Sequence, residues 1–287
     1  MNKSTLFVLP ALLTAFAANA QAADDDANYG WSAVLKKAGL EVSSTEVKNS
    51  EEYKDSPNAE LSGDSETVTK GIFDFSLINQ QEKYKWDNNL FMEYGKTKLR
   101  PKEGPNVENE TADKILISTD YARKVWRYWD ADVGPFVNLA YQTEFDANEG
   151  APRTKIARGT TGIKMFDGPI IKNLYAAAVG EYDFTYSHDK TSKFAYEVGM
   201  EASYPVREGV TFNFDSYFRD YVAYSSYNPH DFEYELSLKA DLMVDIYNGL
   251  AIGPYAQYFR ATDRGSSKYG SSTILGVEAS YSGSWGL

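Results

Sequence analysis

The chain has 287 residues, a formal net charge of −12 and no cysteine, and 43% of its residues are hydrophobic. Without cysteine it can have neither a disulfide framework nor a lipidated cysteine anchor, and the negative charge argues against nucleic acid as a partner, because phosphate binding needs clustered Lys and Arg. The aromatic content is unusually high, with 22 Tyr, 15 Phe and 5 Trp, and is typical of the interfacial girdles of membrane barrels.

The first 22 residues have the features of a signal peptide. Lys3 precedes an apolar stretch from Leu6 to Ala18, and Ala20-Gln21-Ala22 fits a small-residue cleavage site. The apolar stretch is shorter than the roughly 20 residues that a spanning helix needs, and no other apolar run approaches that length. We therefore predict an exported protein with a cleaved signal peptide at 1–22, a short periplasmic segment at 23–32 and a β-barrel at 33–287.

From Ala33 onward, apolar and polar side chains alternate within segments of about 10 to 16 residues that are separated by Gly, Pro, Asn and Asp clusters. The clearest segment places Phe232, Tyr234 and Leu236 on one side and charged residues on the other. About twelve such segments are predicted, with ten or fourteen as alternatives, at residues 33–47, 68–80, 84–98, 113–124, 129–146, 152–165, 173–187, 192–205, 210–224, 231–246, 249–262 and 271–287. The predicted fold is an all-β, closed, antiparallel up-and-down transmembrane β-barrel.

The connections between segments indicate which end of the barrel faces outward. Alternate connections are tight, as at Val206-Arg207-Glu208-Gly209 and Tyr247-Asn248-Gly249, which is typical of periplasmic turns. The others tend to be longer and more polar, and the acidic connection at 48–67 is the longest. The last segment, with Tyr281, Trp285 and Leu287 on one face, resembles the terminal strand that the barrel-assembly machinery recognises, where the usual last residue is Phe or Trp.

The interior of this barrel is predicted to be acidic. In hydrocarbon every backbone amide needs an internal partner, so a sheet can span a bilayer only by closing on itself, and its apolar register must face lipid. The polar register then faces the lumen, with Arg158, Lys164, Arg219 and Lys239 as the main basic residues. The carboxylates predicted to line the lumen are Asp87, Glu93, Glu144, Glu181, Asp183, Glu197, Glu201, Asp215, Glu233, Glu235, Asp241 and Asp245.

Two interpretations of this lumen stay open. Barrels of eight strands fill themselves with side chains, whereas sixteen or more leave an aqueous channel, and twelve is intermediate. If the basic groups pair with some carboxylates and the others are hydrated, a narrow pathway that favours cations follows. Alternatively, mixed charges and tyrosines satisfy one another and fill the interior.

Candidate catalytic residues are few. His188 and His230 each precede an aspartate in predicted outward loops, as in omptin proteases, where carboxylates and an imidazole at the rim activate water. Ser187 precedes His188, but neighbours on a strand end point to opposite faces, which places the pair poorly for a phospholipase-like attack. No zinc-type spacing occurs, and the acidic segment 48–67 lacks a regular Ca²⁺-loop pattern. We therefore predict no metal and no cofactor.

A motif in the third predicted strand carries a family resemblance. The stretch from Tyr84 to Leu90, which contains Trp86, Asp87, Asn88 and Asn89, is followed by Glu93-Tyr94-Gly95 and later by Gln142-Thr143-Glu144-Phe145. This pattern, over residues 70 to 146, resembles an uncharacterised domain-of-unknown-function family of bacterial outer-membrane barrels. The resemblance implies fold and location, with Trp86 at the membrane interface and inward polar groups, among them Asp87 and Asn88, that define strand register.

The leading functional hypothesis is a narrow, cation-preferring, porin-like diffusion channel of the outer membrane. The alternatives are a rim hydrolase that uses His188 or His230, and a structural or adhesive surface barrel with a filled lumen whose acidic segment 48–67 binds a partner. The expected partners are outer-membrane lipid, lipopolysaccharide and, during biogenesis, the barrel-assembly machinery. Nucleic acid is not expected.

Overall fold

The structure is a computed structural model that describes residues 29–53, 61, 66–99, 107–147, 152–226 and 231–287. The predicted signal peptide and most of the predicted periplasmic segment lie outside the described residues. The strands, in chain order, are β1 (Gly30–Lys48), β2 (Glu66–Gln80), β3 (Tyr84–Leu99), β4 (Val107–Arg123), β5 (Trp126–Tyr128), β6 (Ala131–Thr143), β7 (Ile156–Phe166), β8 (Ile171–Asp183), β9 (Thr191–Arg207), β10 (Val210–Tyr224), β11 (Phe232–Tyr247), β12 (Leu250–Asp263) and β13 (Gly270–Gly286).

These strands form one closed antiparallel sheet. Apart from β4 and β5, strands that follow one another in sequence pair with each other. β4 pairs with β6, and β1 pairs with β13 so that the first and last strands close the ring. The three-residue strand β5 pairs only with the start of β6 in a short hairpin at one mouth. Within the described residues, twelve strands therefore make the wall, and the predicted up-and-down barrel is confirmed.

Side-chain exposure along each strand has the two-residue period that the sequence predicts. On β13, Leu275 and Val277 are 60% and 50% exposed, whereas Glu278 is completely buried. On β9, Tyr196 is exposed and the neighbouring Glu197 is buried. Because successive side chains of a strand point to opposite faces, the apolar register faces outward toward lipid and the charged register faces the lumen.

The start of β1, the end of β13 and the tight turns share one mouth, which corresponds to the predicted periplasmic side. The turn from β11 to β12 contains Asn248 and Gly249, with φ of 39° and 85°, and the turn from β9 to β10 contains Gly209 at 69°. These are left-handed conformations that Gly and Asn adopt at low cost. The opposite mouth carries the longer connections, and a 3-10 turn at Ser50–Tyr53 follows β1 there.

Aromatic side chains mark the periplasmic end of the outer face. Trp31 and Trp86 have ring centroids 5.6 Å apart, and Tyr84 stacks on Tyr121 at 5.4 Å. Such rings suit the interface because one end of each is apolar and the other is polar. Within the described residues, no helix is long and apolar enough to cross a membrane.

Candidate functional site: the barrel lumen

Most charged residues predicted for the lumen occupy the inward register of their strands. Several of them lie directly opposite each other on adjacent strands, for example Arg158 opposite Glu181 and Arg219 opposite both Glu197 and Glu235. The predicted residues in this register are Asp87, Glu93, Arg158, Lys164, Glu181, Asp183, Glu197, Glu201, Asp215, Arg219, Glu235, Lys239 and Asp241.

Three predicted lumen residues lie elsewhere. Glu233 is the extra residue of a β-bulge between Phe232 and Tyr234, so Phe232 takes the inward position and Glu233 is exposed at the rim. Glu144 follows the end of β6 and accepts hydrogen bonds from Thr154, in the loop before β7. Asp245 is exposed beside the turn between β11 and β12. The lumen prediction is therefore wrong for Glu233, because a bulge shifts the alternation by one residue.

The outer half of the lumen contains a dense network around Arg219. Its guanidinium contacts the Glu197 carboxylate and lies 2.6 Å from the Glu235 carboxylate, and all three side chains are buried. The Tyr175 hydroxyl donates to Glu197 at 2.6 Å. Next to this network, Arg158 lies 2.7 Å from Glu181. Such charge-assisted bonds are stronger than neutral ones and make the network rigid.

A second network lies on the seam where β1 meets β13. Glu41 and Glu278 are opposite each other in this pairing, and neither has any exposed surface. Lys239 lies 2.5 Å from Glu41 and 3.6 Å from Glu278, while Lys70 is 3.1 Å from Glu41 and Lys37 is 2.7 Å from Glu278. Two adjacent carboxylates repel each other, and the three lysines compensate that repulsion.

The sequence prediction missed this seam network and several other luminal lysines. Period-two alternation does place Glu41 opposite in direction to the exposed Leu40 and Val42, so that residue was detectable. Lys36 and Lys37 could not both be assigned to the lumen from alternation, because successive residues of a regular strand point to opposite faces. A β-bulge at Leu35–Ala38 lets both lysines reach luminal carboxylates.

Three luminal carboxylates have a different environment. Within the described residues, Glu201, Asp215 and Asp241 have no Lys or Arg nitrogen within the 4.0 Å that defines an ion pair. Glu201 on β9 lies opposite Asp215 on β10. The side-chain amide of Asn173 donates a hydrogen bond to Glu201 at 3.3 Å, and that of Asn213 donates to Asp241 at 2.7 Å. They form a negatively charged strip on the β9–β11 wall, which we call the acidic strip.

The 3-10 turn after β1 folds into the outer mouth. Tyr53 is fully buried against Phe259 and Ala261, and its hydroxyl donates to the Lys268 carbonyl at 2.6 Å. Hydrogen bonds from Lys268 and Ser266 hold the pKa of the Glu52 carboxyl below its usual range, and burial raises the pKa of the Tyr53 hydroxyl. This part of the predicted acidic loop at 48–67 therefore packs on the barrel instead of being entirely solvated.

The periplasmic mouth is crossed by the turn between β7 and β8. Asp167, with a φ of 57°, reaches Lys85 on β3 at 2.5 Å and Gln80 on β2 at 3.3 Å. Burial by itself would raise the pKa of the Asp167 carboxyl, but the charge and hydrogen bond of Lys85 and the hydrogen bond of Gln80 outweigh it, so that pKa is lowered. This contact links strands that are three and four positions apart in the ring and narrows the opening.

Apolar side chains also enter the lumen. Phe136 and Phe166 are buried with Ala122 and Ala177, and the Lys164 ammonium lies 5.1 and 5.3 Å from the two phenylalanine ring centroids. A further cluster contains Val179, Ala195 and Tyr221. These clusters lie on the side of the barrel formed by β4 and β6–β10 and reduce the free cross-section.

The residues of the predicted family motif alternate between the two faces of β3. On the inner face, Asp87 lies 3.2 Å from Lys36, and the Asn89 amide donates to Asp74 at 2.6 Å. On the outer face, Trp86 donates to the Thr119 hydroxyl at 2.8 Å. Asn88 also lies on the outer face, where it accepts from Thr119 at 2.9 Å, so the prediction of an inward Asn88 is wrong. The motif ties β3 to its neighbours on both faces.

The terminal strand has its predicted apolar face outward. Tyr281 pairs with Ala38, Trp285 lies over Gly283, and Leu287 is 77% exposed, with its backbone amide donating to Trp31 at 2.9 Å.

The structure does not place the candidate histidines in a catalytic arrangement. His188 is exposed in the connection after β8, and His230 lies outside the described residues. In the part of the chain that the structure describes, no group of three or more His, Cys, Asp or Glu side chains could hold a metal ion.

These features define the class of protein as a transmembrane β-barrel of the outer-membrane type. Residues 58–148 match the family described as "Protein of unknown function (DUF3078)", and the predicted resemblance is confirmed. No curated protein matches the chain.

Several solved structures align with most of this chain at low identity and with TM-scores below 0.5. They include the outer membrane channel DcaP of Acinetobacter baumannii (8% identity, 92% of this chain and 100% of that chain, TM-score 0.43) and the COG4313 outer membrane channel from Pseudomonas putida F1 (7%, 91% and 100%, 0.48). Another is the translocator domain of the autotransporter NalP from Neisseria meningitidis (10%, 88% and 89%, 0.34).

Proposed function

We propose that this protein is a narrow, cation-preferring diffusion channel of the outer membrane. The observation that carries the proposal is that most luminal cations are ion-paired, whereas three luminal carboxylates are not. Among the described residues, no Lys or Arg forms an ion pair with the acidic strip, whereas most inward-facing lysines and arginines are held in ion pairs, namely Lys36, Lys37, Lys70, Lys85, Arg158, Lys164, Lys193, Arg219 and Lys239. A mobile cation can therefore replace the missing partner.

The proposed cation preference does not depend on the total luminal charge. A lysine already bound to two carboxylates, such as Lys239, presents little net field to a passing ion, because the opposite charges lie within 4 Å of each other. The carboxylates of the acidic strip are not compensated in this way, and a low-dielectric wall strengthens their effect on an ion in the lumen. Cations are thus favoured along the β9–β11 wall.

The width of the lumen limits the size of the solutes that can pass. A barrel of twelve strands is intermediate in size between filled and open barrels. Here Tyr53 occupies part of the outer mouth, and Asp167 narrows the periplasmic mouth through its contact with Lys85. The apolar cluster on β4 and β6–β8 occupies further space in the lumen. The remaining space suits small hydrated ions and small polar solutes.

Planar-bilayer recording of the refolded protein tests the proposal. In a KCl gradient we expect stepwise conductance with a reversal potential on the cation side. The triple variant Glu201→Gln, Asp215→Asn, Asp241→Asn should move the reversal potential toward zero. A matched control neutralises three exposed carboxylates in connections, Asp130→Asn, Asp189→Asn and Glu208→Gln, and should retain the preference. Anion preference of the unmodified protein would overturn the proposal.

A second candidate is a barrel with a filled lumen that serves as a structural or binding scaffold. The buried inward clusters around Phe136 and Val179, together with the tie between Asp167 and Lys85, favour it. The same recording separates the two functions, because a filled barrel gives no conductance steps although it is folded, as judged by different migration of boiled and unboiled samples on gels.

A further inference from the structure

Two cations and a small residue form a row on the outer face, at the extracellular end of the barrel seam. Arg260 on β12 and Lys48 on β1 both pair with Ser271 on β13, which lies between them. By strand alternation all three share the outward register of Leu275 and Val277, and Ser271 itself is buried. Adjacent strands are about 4.8 Å apart, so two side chains as long as Arg and Lys can meet at one ligand above Ser271.

Contacts with tyrosines orient the Arg260 guanidinium. Its Nε donates to the Tyr234 hydroxyl at 3.0 Å, and its central carbon lies 3.9 Å from the Tyr269 ring centroid. Within the described residues, no carboxylate forms an ion pair with Arg260 or Lys48. Because Nε is used and one planar face is covered, the terminal N–H groups stay available for an external acceptor, in the fork geometry that suits phosphate.

The position of Arg260 along its strand places it at the upper edge of the membrane. Arg260 is ten residues after Leu250, which begins β12 at the periplasmic turn. Strands rise about 3.3 Å per residue and tilt by about 45°, so ten residues climb roughly 23 Å, close to the ~25 Å height of the apolar band of such barrels. The outward residues below Arg260 include Ile252, Ala256 and Tyr258, which are apolar or suited to the interface.

We propose that Arg260 and Lys48 bind a phosphate group of lipid A, the anionic glycolipid anchor of lipopolysaccharide in the outer leaflet. An exposed cation pair at this depth faces lipid headgroups, and in the outer leaflet the phosphates at this level are those of lipid A. Glu46 lies one row below Lys48 on the same face, and the site keeps a net charge of +1. The site is on the lipid side of the wall, so it is independent of the proposed channel.

Binding of diphosphorylated lipid A to the refolded barrel in detergent tests this inference. Replacing both cations, in Arg260→Gln with Lys48→Gln, should weaken binding by about tenfold or more, since charge-assisted hydrogen bonds are lost. The matched control is Arg207→Gln, which removes an exposed arginine at the periplasmic end of β9 and should bind like the unmodified protein. Heat-dependent gel migration verifies that each variant is folded.

The choice of probe distinguishes the sources of phosphate. Lipid A stripped of both phosphates should bind the unmodified protein as weakly as intact lipid A binds the double variant. Equal binding of lipid A by the double variant and the unmodified protein would overturn the proposal. So would equally tight binding of phosphatidylglycerol in the same detergent, or of inorganic phosphate alone, because the site would then not select the glycolipid.

Discussion

Replacing Lys239 by Met should destabilise the barrel through the seam network. The Lys239 ammonium lies 2.5 Å from Glu41 and 3.6 Å from Glu278, two carboxylates with no exposed surface, and 4.8 Å from the Tyr255 ring centroid. Removing one partner of a buried ion pair costs about 3–5 kcal/mol when the other charge is left alone. Here Lys70 and Lys37 stay bound to the carboxylates, so we expect a smaller loss, about 2 kcal/mol of unfolding free energy.

The assay is guanidinium unfolding of the refolded protein in detergent, followed by tryptophan fluorescence and extrapolated to zero denaturant. Lys83→Met is the matched control, because Lys83 is exposed in the turn between β2 and β3, and it should change the unfolding free energy by less than about 0.5 kcal/mol. A loss below about 1 kcal/mol for Lys239→Met would contradict the assignment of buried charge pairing.

A double-mutant cycle with Glu41→Gln isolates the pair. Once Glu41 is neutral, the seam holds one buried carboxylate instead of two, so the lysine at 239 compensates less charge. Lys239→Met combined with Glu41→Gln should therefore be less destabilised than the sum of the single variants, with a coupling of about 1–2 kcal/mol. Simple additivity would mean that Lys239 acts through packing on Tyr255 and not through the carboxylates.

Three further predictions follow from the geometry. A Cβ on Gly199 would lie 2.5 Å from the Tyr175 ring, so Gly199→Ala should cost about 1–3 kcal/mol of unfolding free energy, whereas Gly180→Ala, which meets open space, should not. Tyr53→Ala should raise single-channel conductance because it opens the outer mouth, whereas Tyr53→Phe should conduct like the unmodified protein. Equal conductance of the unmodified protein and both variants would show that Tyr53 does not narrow the path. Asp167 has a lowered pKa in the folded protein, so its contribution to stability is present above about pH 5 and is lost as the pH falls below about 4. In Asp167→Asn the unfolding midpoint should therefore depend less on pH in that range. An unaltered pH profile would refute a stabilising role of the Asp167 carboxylate.

The wall of the barrel was predictable because alternation is a local property. Leu275, Val277 and Glu278 already differ in hydrophobicity along the sequence, and hydrocarbon outside a closed sheet leaves only one orientation for them. The family motif around Trp86 was recognisable for the same reason, since it lies within a single strand. Parity alone would also have placed Asn88 beside Trp86 on the outer face, and that residue was assigned to the wrong side despite a sufficient signal.

The charge partners depended on tertiary structure. Lys239 and Glu41 are 198 residues apart, and which lysine reaches which carboxylate follows from strand number, stagger and ring closure, none of which is local. The bulges at Glu233 and at Leu35–Ala38 shift the alternation where the sequence has no distinguishing residue. The sequence by itself therefore determined that charged side chains share an enclosed interior. Only closure of the barrel decided which of them neutralise one another, and that Glu201, Asp215 and Asp241 have no paired cation in the part of the chain that the structure describes. Electrostatic pairing depends on distance in space and not on order along the chain.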